Sequence, residues 1–550
     1  MFPYIKSIFI LALHNPMLGF NLLSYTLTIL SFFLFISLKN RKYLHMLQLN
    51  SYYNSRFFKW LIRNFSFILD RDEFIIFLMI AFSTFLSTLS FSLIISISFV
   101  YLSIKMLLKK EKKEFRFTAR AIRIFLVASL FNILITTGAT YYFIKALRYF
   151  SPNYSFYLSL IISFISLIPF SIIMLSNLVL FPLEKMIQNY YKNDAKRKIK
   201  SLKKLKIIGI TGSYGKTSTK YILKELLSEK FNTLMTPASI NTPMGLTKTI
   251  REFLNPSHEV FIAEMGAREI GNIKELCEIA QPNLAVITDI GLQHIETFRT
   301  LDNVKNTKFE ILDSLPEGGV AFLNIGNVHI KKKTKEFWKK VITFSVDIKA
   351  DFKASNIRIN AEGTSFDLEF QGEKYLVKTS LLGEHNVLNI LAAMSVAYYL
   401  GLEINYIIEQ IKKLQQVPNR LEIIRREKGI IIINNAFNSN IVGAKKAIDI
   451  MARIKANRRI LITPGIVEVG RQQENLNREF IMYASSSCDY IIVVGYLNKR
   501  TIEEALYQIQ YPKGRVFYAK DLEEAKKELN RYLEPNDIVL FENDLPDNYN

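Results

Sequence analysis

Before residue 182 the chain is built from long runs of Phe, Leu, Ile and Ser; after residue 200 it has the composition of an ordinary globular protein. That break constrains the fold more than any other feature. A helix crossing a bilayer needs about 20 consecutive apolar residues. Residues 20–38, 122–147 and 156–181 each have that length. A fourth run, 74–108, is too long for one ordinary span and short for two. Residues 39–71, 109–123 and 185–206 are rich in Lys and Arg. The positive-inside rule puts all three on the cytoplasmic side. Residues 74–108 must then be a hairpin of two short spans, giving five spans and an outside N-terminus. The alternative is four spans, with a basic segment left outside. The first run lacks a basic start and a small-residue cleavage site, so it is expected to remain as an anchor. Residues 42–63 mix aromatic and basic side chains, which fits an interfacial segment, an anionic lipid contact or a solvated loop. No Asp or Glu lies within the runs, so the sequence offers little support for an ion pathway.

The 71 Lys and Arg against 49 Asp and Glu give a net charge of +22. The basic residues cluster between and just after the apolar runs. They therefore point to membrane lipids as partners, not to nucleic acid. Cys277 and Cys488 show no partner spacing, which argues against a disulfide framework or a zinc site. The expected location is the plasma membrane, multi-pass, with the polar part of the chain in the cytoplasm.

At Lys206 the pattern changes. KIIGI reads as a buried strand, TGSYGKTS as a Gly-rich turn, and the apolar stripe 222, 223, 226, 227 as a helix. Strand, turn and helix in that order are the context a phosphate-binding loop requires. Backbone N–H groups of Gly212, Ser213 and Gly215 converge on phosphate oxygens, and the helix N-terminus adds favourable potential. Lys216 reaches the β- and γ-phosphates, and Thr217 or Ser218 holds Mg²⁺. The strict pattern G-x-x-x-x-G-K-[ST] is broken by Ile210 at its first glycine. EVFIAEMG is a further strand ending in Glu264, and NLAVITDIG another ending near Asp289, with His294 just beyond. Ligands of open α/β sheets bind at the carboxyl ends of strands, so Glu264, His294 and the loop are expected to share one crevice. Mg²⁺ prefers oxygen ligands, which makes Glu264 its natural partner.

These segments resemble the Mur ligase family, most closely its MurF-type branch, which adds D-alanyl-D-alanine to a peptidoglycan precursor. ITGSYGKTSTK resembles the family's phosphate loop, whose shorter glycine spacing accounts for Ile210. The resemblance implies ATP and Mg²⁺ as cofactors. It implies that Asn241 and Thr242 of SINTPMG lie at the substrate. It implies that Glu264 of AEMGAREIGNI and His294 of ITDIGLQHIETF contact magnesium. Lys308 of VKNTKFEIL matches a carbamylated lysine, and a carbamate turns a cation into a carboxylate-like ligand. Asn386 and Asn389 of LLGEHNVLNILAA match the nucleotide pocket, and Arg420 of PNRLE a phosphate-contacting arginine. Two positions depart from the pattern. Asp289 stands where the family has Asn, and Asn435 of INNAFNSN stands at an acidic position that serves nucleotide binding. The C-terminal ending also differs, so the amine substrate is open.

GIIIINN, RILITPG, DYIIVVG, GRVFYAK and DIVLFEN alternate with helical stretches after Arg420, which predicts a second, mostly parallel α/β domain, Rossmann-like in outline. It has no G-x-G-x-x-G, so no dinucleotide is expected. The expected architecture is a membrane α-helical region at 1–200, then α/β: a Mur ligase P-loop ATPase domain at 201–417 and a Rossmann-like C-terminal domain at 418–550. Nothing before Lys206 reads as the soluble domain with which Mur ligases usually hold the UDP part of the substrate. The resemblance implies an ATP-dependent amide ligase acting through an acyl phosphate, with Lys216, Glu264, His294 and Lys308 as catalytic residues. Its partners are a UDP- or lipid-linked cell-wall precursor and an amino acid or dipeptide amine. Two other readings remain open: a polyglutamate-type or precursor-amidating ligase, and a weakened membrane scaffold that binds nucleotide without turnover.

Overall fold

The computed structural model describes residues 16–544, apart from 65–66, 83–87, 109–113, 148–153, 292, 294, 361, 417–419, 437–440, 468 and 470–471. The chain divides into two compact units, Met1–Ile187 and Gln188–Leu545.

The first unit is helical. Its helices are Pro16–Leu49, Asn54–Arg63, Arg71–Phe82, Thr88–Leu108, Ala119–Leu147, Tyr154–Leu167 and Pro169–Val179; Phe181–Ser201 runs on into the second unit. The run 74–108 is two helices. The run 156–181 is not one straight span, because it bends by 52° at Ile168. Pro169 explains the bend: it has no N–H to give the preceding turn, and its ring crowds the carbonyl four residues back. Among the described residues, two helices are long and apolar enough to cross a membrane, Ser90–Leu108 and Ala119–Ala139, or up to three if the bent pair is one span. Of the five expected spans, the first limb of the 74–108 hairpin runs into residues 83–87, outside the described residues. The described part of that limb, Arg71–Phe82, opens on Arg71, Asp72 and Glu73. Residues 42–63 are not a loop: helix continues to Leu49, and Asn54–Arg63 forms another that buries Phe57 and Leu61. Glu73, one residue outside the apolar run, is buried. It accepts a 2.9 Å hydrogen bond from the equally buried Lys39, whose ammonium also donates to the Ser166 carbonyl.

The second unit holds two sheets. The first contains β1 (Lys206–Thr211), β2 (Thr233–Met235), β3 (Val260–Glu264), β4 (Leu284–Ile287), β5 (Val320–Asn324), β6 (Lys340–Val346), β7 (Phe352–Asn360), β8 (Gly363–Phe370) and β9 (Glu373–Thr379), in the order β2-β3-β1-β4-β5-β6-β7-β8-β9. Pairing is parallel from β2 to β7, and the last three strands form antiparallel hairpins. The chain winds outward from β1 in both directions, which opens a crevice at the carboxyl end of β1. The helix Lys216–Ser228 follows that end. It buries Ile222, Leu223, Leu226 and Leu227, as its apolar stripe predicts. Each such side chain contributes about 1.5–3 kcal/mol, so the stripe clamps the loop's exit onto the sheet.

The second sheet contains β10 (Glu422–Arg425), β11 (Ile431–Asn435), β12 (Arg459–Thr463), β13 (Tyr490–Val494), β14 (Val516–Ala519) and β15 (Ile538–Glu542), in the order β10-β11-β15-β12-β13-β14. Only β10 is antiparallel to its neighbour. The sequence-predicted strands from GIIIINN to DIVLFEN are all present. Cys277 and Cys488 are buried free thiols.

Candidate active site

The loop leaving β1 is held by the end of β4. Ser213 donates its N–H to the Asp289 carbonyl at 2.7 Å, and its hydroxyl bridges both the carbonyl and the N–H of Gly291 at 3.0 Å. Thr288 Oγ1 donates to the Tyr214 carbonyl at 2.5 Å. Two glycines permit this packing. Gly215 has φ 81, which side chains avoid, and a β-carbon there would collide with Asn389 Oδ1. A β-carbon at Gly212 would collide with Thr288 Oγ1.

Four charges gather at this end of the sheet. Lys216, at the start of the helix, folds back so that its ammonium donates to the Gly212 carbonyl at 2.6 Å and the Ser213 carbonyl at 3.3 Å. Burial, reinforced by the charge of Arg420 and opposed by Glu264, lowers its pKa to about 8. Lys220, one turn on, is fully buried. Its ammonium lies 3.0 Å from Glu264 Oε2 and donates to the Ala238 carbonyl. Glu264 closes β3 and is 1% exposed; its Oε1 accepts from Asn241 Nδ2 at 3.0 Å. Burial alone would raise the Glu264 carboxyl, but the charges of Lys220 and Lys216 outweigh it and hold the carboxyl below its usual range. Arg420 reaches across from the start of the second sheet and donates to Thr217 Oγ1 at 3.1 Å. Three cations and one carboxylate around a Gly-rich turn leave a net positive field, which suits a polyphosphate.

Lys308 lies on the helix Leu301–Asp313 and is 2% exposed. Burial, with the charge of Lys216 adding to it, pushes its pKa well below the ordinary lysine range. A neutral amine of this kind is the form that carbamylation uses. Among the described residues, no group of three or more His, Cys, Asp and Glu side chains is arranged to hold a metal ion. His294 lies outside the described residues.

Other expected residues take less direct positions. Asn389 accepts from Thr219 Oγ1 at 3.2 Å and donates to Asn386 Oδ1 at 3.2 Å; Asn386 in turn donates to the Leu382 carbonyl. Both asparagines are buried on the helix Glu384–Tyr399, where they brace the loop from behind. Ser218 is buried on the same helix as Lys216. Thr242 is exposed and caps the helix Pro243–Glu252 by accepting from the Gly245 N–H. Asn435, at the end of β11, accepts from the Leu421 N–H at 3.3 Å and donates to Glu542 Oε2 at 2.8 Å. Asp289 accepts from Asn327 Nδ2 at 2.7 Å. Both departures from the family pattern therefore sit in acid–amide pairs. After β12, Asn477 holds Ile466 of the TPGIVEVG segment, accepting from its N–H and donating to its carbonyl.

Sequence reasoning missed Lys220, Asn327 and Glu542. Lys220 had one readable signal, its place one helical turn after Lys216, beside the apolar stripe. Asn327 and Glu542 become visible only through the partners that the fold brings to them.

The Mur ligase middle-domain profile matches residues 210–397, and the Mur ligase glutamate-ligase-domain profile matches 419–542. The UDP-N-acetylmuramoyl-tripeptide–D-alanyl-D-alanine ligase of Buchnera aphidicola is 31% identical over 338 residues, 61% of this chain and 71% of that protein. The Escherichia coli ligase of the same name is 30% identical over 271 residues, 49% of this chain and 60% of that one. The MurF ligase of Thermotoga maritima, solved in complex with ADP, superposes with a TM-score of 0.58 at 25% identity, covering 65% of this chain and 80% of that one. With both domain matches in chain order and the Buchnera likeness across most of that enzyme, the chain belongs to the Mur ligase family of ATP-dependent, amide-forming ligases.

Proposed function

We propose that the chain joins D-alanyl-D-alanine to the tripeptide carboxylate of a UDP- or lipid-linked muramoyl precursor at the cytoplasmic face of the plasma membrane. The observation that carries this reading is the convergence of Lys216, Lys220, Glu264 and Arg420 on the loop after β1. The membrane part rests on the two helices long and apolar enough to cross a bilayer, which precede the region matched by the family profiles.

A carboxylate oxygen of the precursor attacks the γ-phosphorus of ATP, the bond to the bridging oxygen breaks, and ADP leaves. The amine nitrogen then attacks the acyl carbon, the carbon–oxygen bond to phosphate breaks, and the nitrogen gives up a proton. The protein's work is positioning and charge neutralisation. N–H groups of Gly212 and Gly215 and the Lys216 ammonium hold the phosphates, Ser213, whose N–H goes to the Asp289 carbonyl instead of to phosphate as expected, fixes the shape of the loop, Arg420 approaches from the second sheet, and Asn386 and Asn389 support the pocket. Asn241 and Thr242 lie toward the acyl substrate. The site suits Mg²⁺: Thr217 and Glu264 offer oxygens, Glu264 is held ionised, and Mg²⁺ is bound through one or two carboxylates beside phosphate oxygens. Ser218 would stand in for Thr217, and His294 and the carbamate of Lys308 would complete the proposed donor set. Bound there, the ion supplies charge neutralisation for the phosphates.

The test uses the full chain in detergent with ATP, the amine and each precursor. Lys216→Ala is expected to lower amine-dependent ADP release at least about 100-fold. Undiminished amide formation would overturn the scheme. Comparing kcat/KM for UDP-linked and lipid-linked precursors decides whether the membrane region selects the acyl substrate.

A further inference from the structure

We propose that Glu542 is a positioning residue for Arg420, acting through Asn435, and that residue 435 is an amide because it must both give and accept a hydrogen bond. The proposal rests on the reading of Arg420 as a phosphate-side group. β11 and β15 are parallel neighbours, and their register sets Asn435 opposite Glu542 at the carboxyl ends of both strands. Glu542 is fully buried, and its Oε2 accepts from Asn435 Nδ2 at 2.8 Å. Asn435 Oδ1 accepts from the Leu421 N–H at 3.3 Å. Leu421 has φ 51, a left-handed conformation that residues with a β-carbon rarely adopt. It is held there by that bond and by a side chain that is 5% exposed, packed in the core of the second sheet. The backbone twist at Leu421 aims the preceding side chain, Arg420, whose guanidinium meets Thr217 in the phosphate loop at 3.1 Å. One chain of contacts thus runs from a buried carboxylate in the last strand to the loop after β1.

The chemistry of this chain is selective. An aspartate at 435 could accept from Leu421 but has nothing to give Glu542, and it would set two carboxylates face to face in a buried place. Restoring the family's acid at 435 is therefore harmful here, unless the acid at 542 becomes an amide. Glutamine at 542 alone keeps an oxygen that accepts from Asn435, so it is mild.

The experiment compares wild type, Asn435→Asp, Glu542→Gln and the double variant as full chains in detergent. Three readouts are taken: the ATP dissociation constant, hydrogen exchange over residues 420–425, and KM for ATP against KM for the amine. Asn435→Asp is expected to weaken ATP binding about tenfold and to speed exchange at Leu421. Glu542→Gln should change binding by no more than about threefold, and the double variant should recover most of the loss. KM for the amine should move far less than KM for ATP, a split that general destabilisation would not produce. A double variant as poor as Asn435→Asp, or an Asn435→Asp that binds ATP as wild type does, overturns the proposal. Exchange that follows the swap while wild type binds no ATP would leave the anchor standing and overturn the functional reading instead.

Discussion

Each unit buries a Lys–Glu pair of nearly the same geometry. In the helical unit Lys39 meets Glu73 at 2.9 Å, with the Ser166 carbonyl as third partner. In the ligase unit Lys220 meets Glu264 at 3.0 Å, with the Ala238 carbonyl as third partner. Among the described residues, these are the ion pairs whose side chains are both at most 3% exposed. Their surroundings differ. The Lys39 ammonium lies over the Phe35 ring, between helices, with Asn40 and Asn132 paired nearby. Glu264 ends a strand, shares its second oxygen with Asn241, and lies within the field of Lys216. A buried ion pair is weak evidence of stability, and it is no better evidence of a site until other polar groups converge on it. Convergence separates the two pairs. The first reads as a lock between helices, and the second belongs to the proposed reaction centre.

The comparison breaks most sharply under single substitutions. Lys220→Met strands Glu264 beside the loop, and amine-dependent turnover is expected to fall about a thousandfold. Lys39→Met strands Glu73 instead. It should destabilise the helical unit by about 3–5 kcal/mol in thermal unfolding, with Lys39→Met/Glu73→Leu recovering most of that. If Lys39→Met lowers the ATP-dependent rate in folded protein as strongly as Lys220→Met does, the distinction between lock and reaction centre fails.

A pH scan sharpens it next. Burial, with the charges of Lys446 and Arg420 adding, lowers the His385 pKa from 6.5 to about 4. The unfolded chain therefore binds a proton that the folded site refuses between these values. Stability is fully present above pH about 6.5 and falls as the pH drops toward 4, by up to about 3 kcal/mol. His385→Gln should flatten that limb in the ligase unit's melting and leave the helical unit's transition unmoved. The smallest expected effect is at Gly215. Gly215→Ala forces a β-carbon onto Asn389 at a positive φ and should raise KM for ATP about thirtyfold, with little change in melting temperature.

The sequence made the ligase site legible where its chemistry follows chain order. KIIGI, TGSYGKTS and the stripe at 222–227 announce a strand, loop and helix on their own, and the strands ending in Glu264 and Asp289 follow from apolar runs closed by polar residues. The sequence was silent where a polar side chain turns inward. Lys220 reads as a solvated lysine, and only the ends of β3 and the 238 segment make it a buried partner of Glu264. Asn386 and Asn389 are expected at the nucleotide pocket, and their direct contacts are with the loop's own support. The hairpins β7–β9 escape a reading based on apolar runs, because a half-exposed strand carries few apolar residues in a row. In the helical unit, hydropathy measured the length of the runs and could not see the break at Pro169 or the inward turn of Glu73.

The central claim is that the charge cluster after β1 drives ATP-dependent amide formation. The most direct measurement follows ADP and amide product together, in the full chain reconstituted in lipid, with and without the amine. The account predicts one ADP per amide bond, no sustained ADP release without amine, and loss of both products in Lys220→Met. ADP release indifferent to the amine, or amide formation that survives Lys220→Met at the wild-type rate, would contradict it.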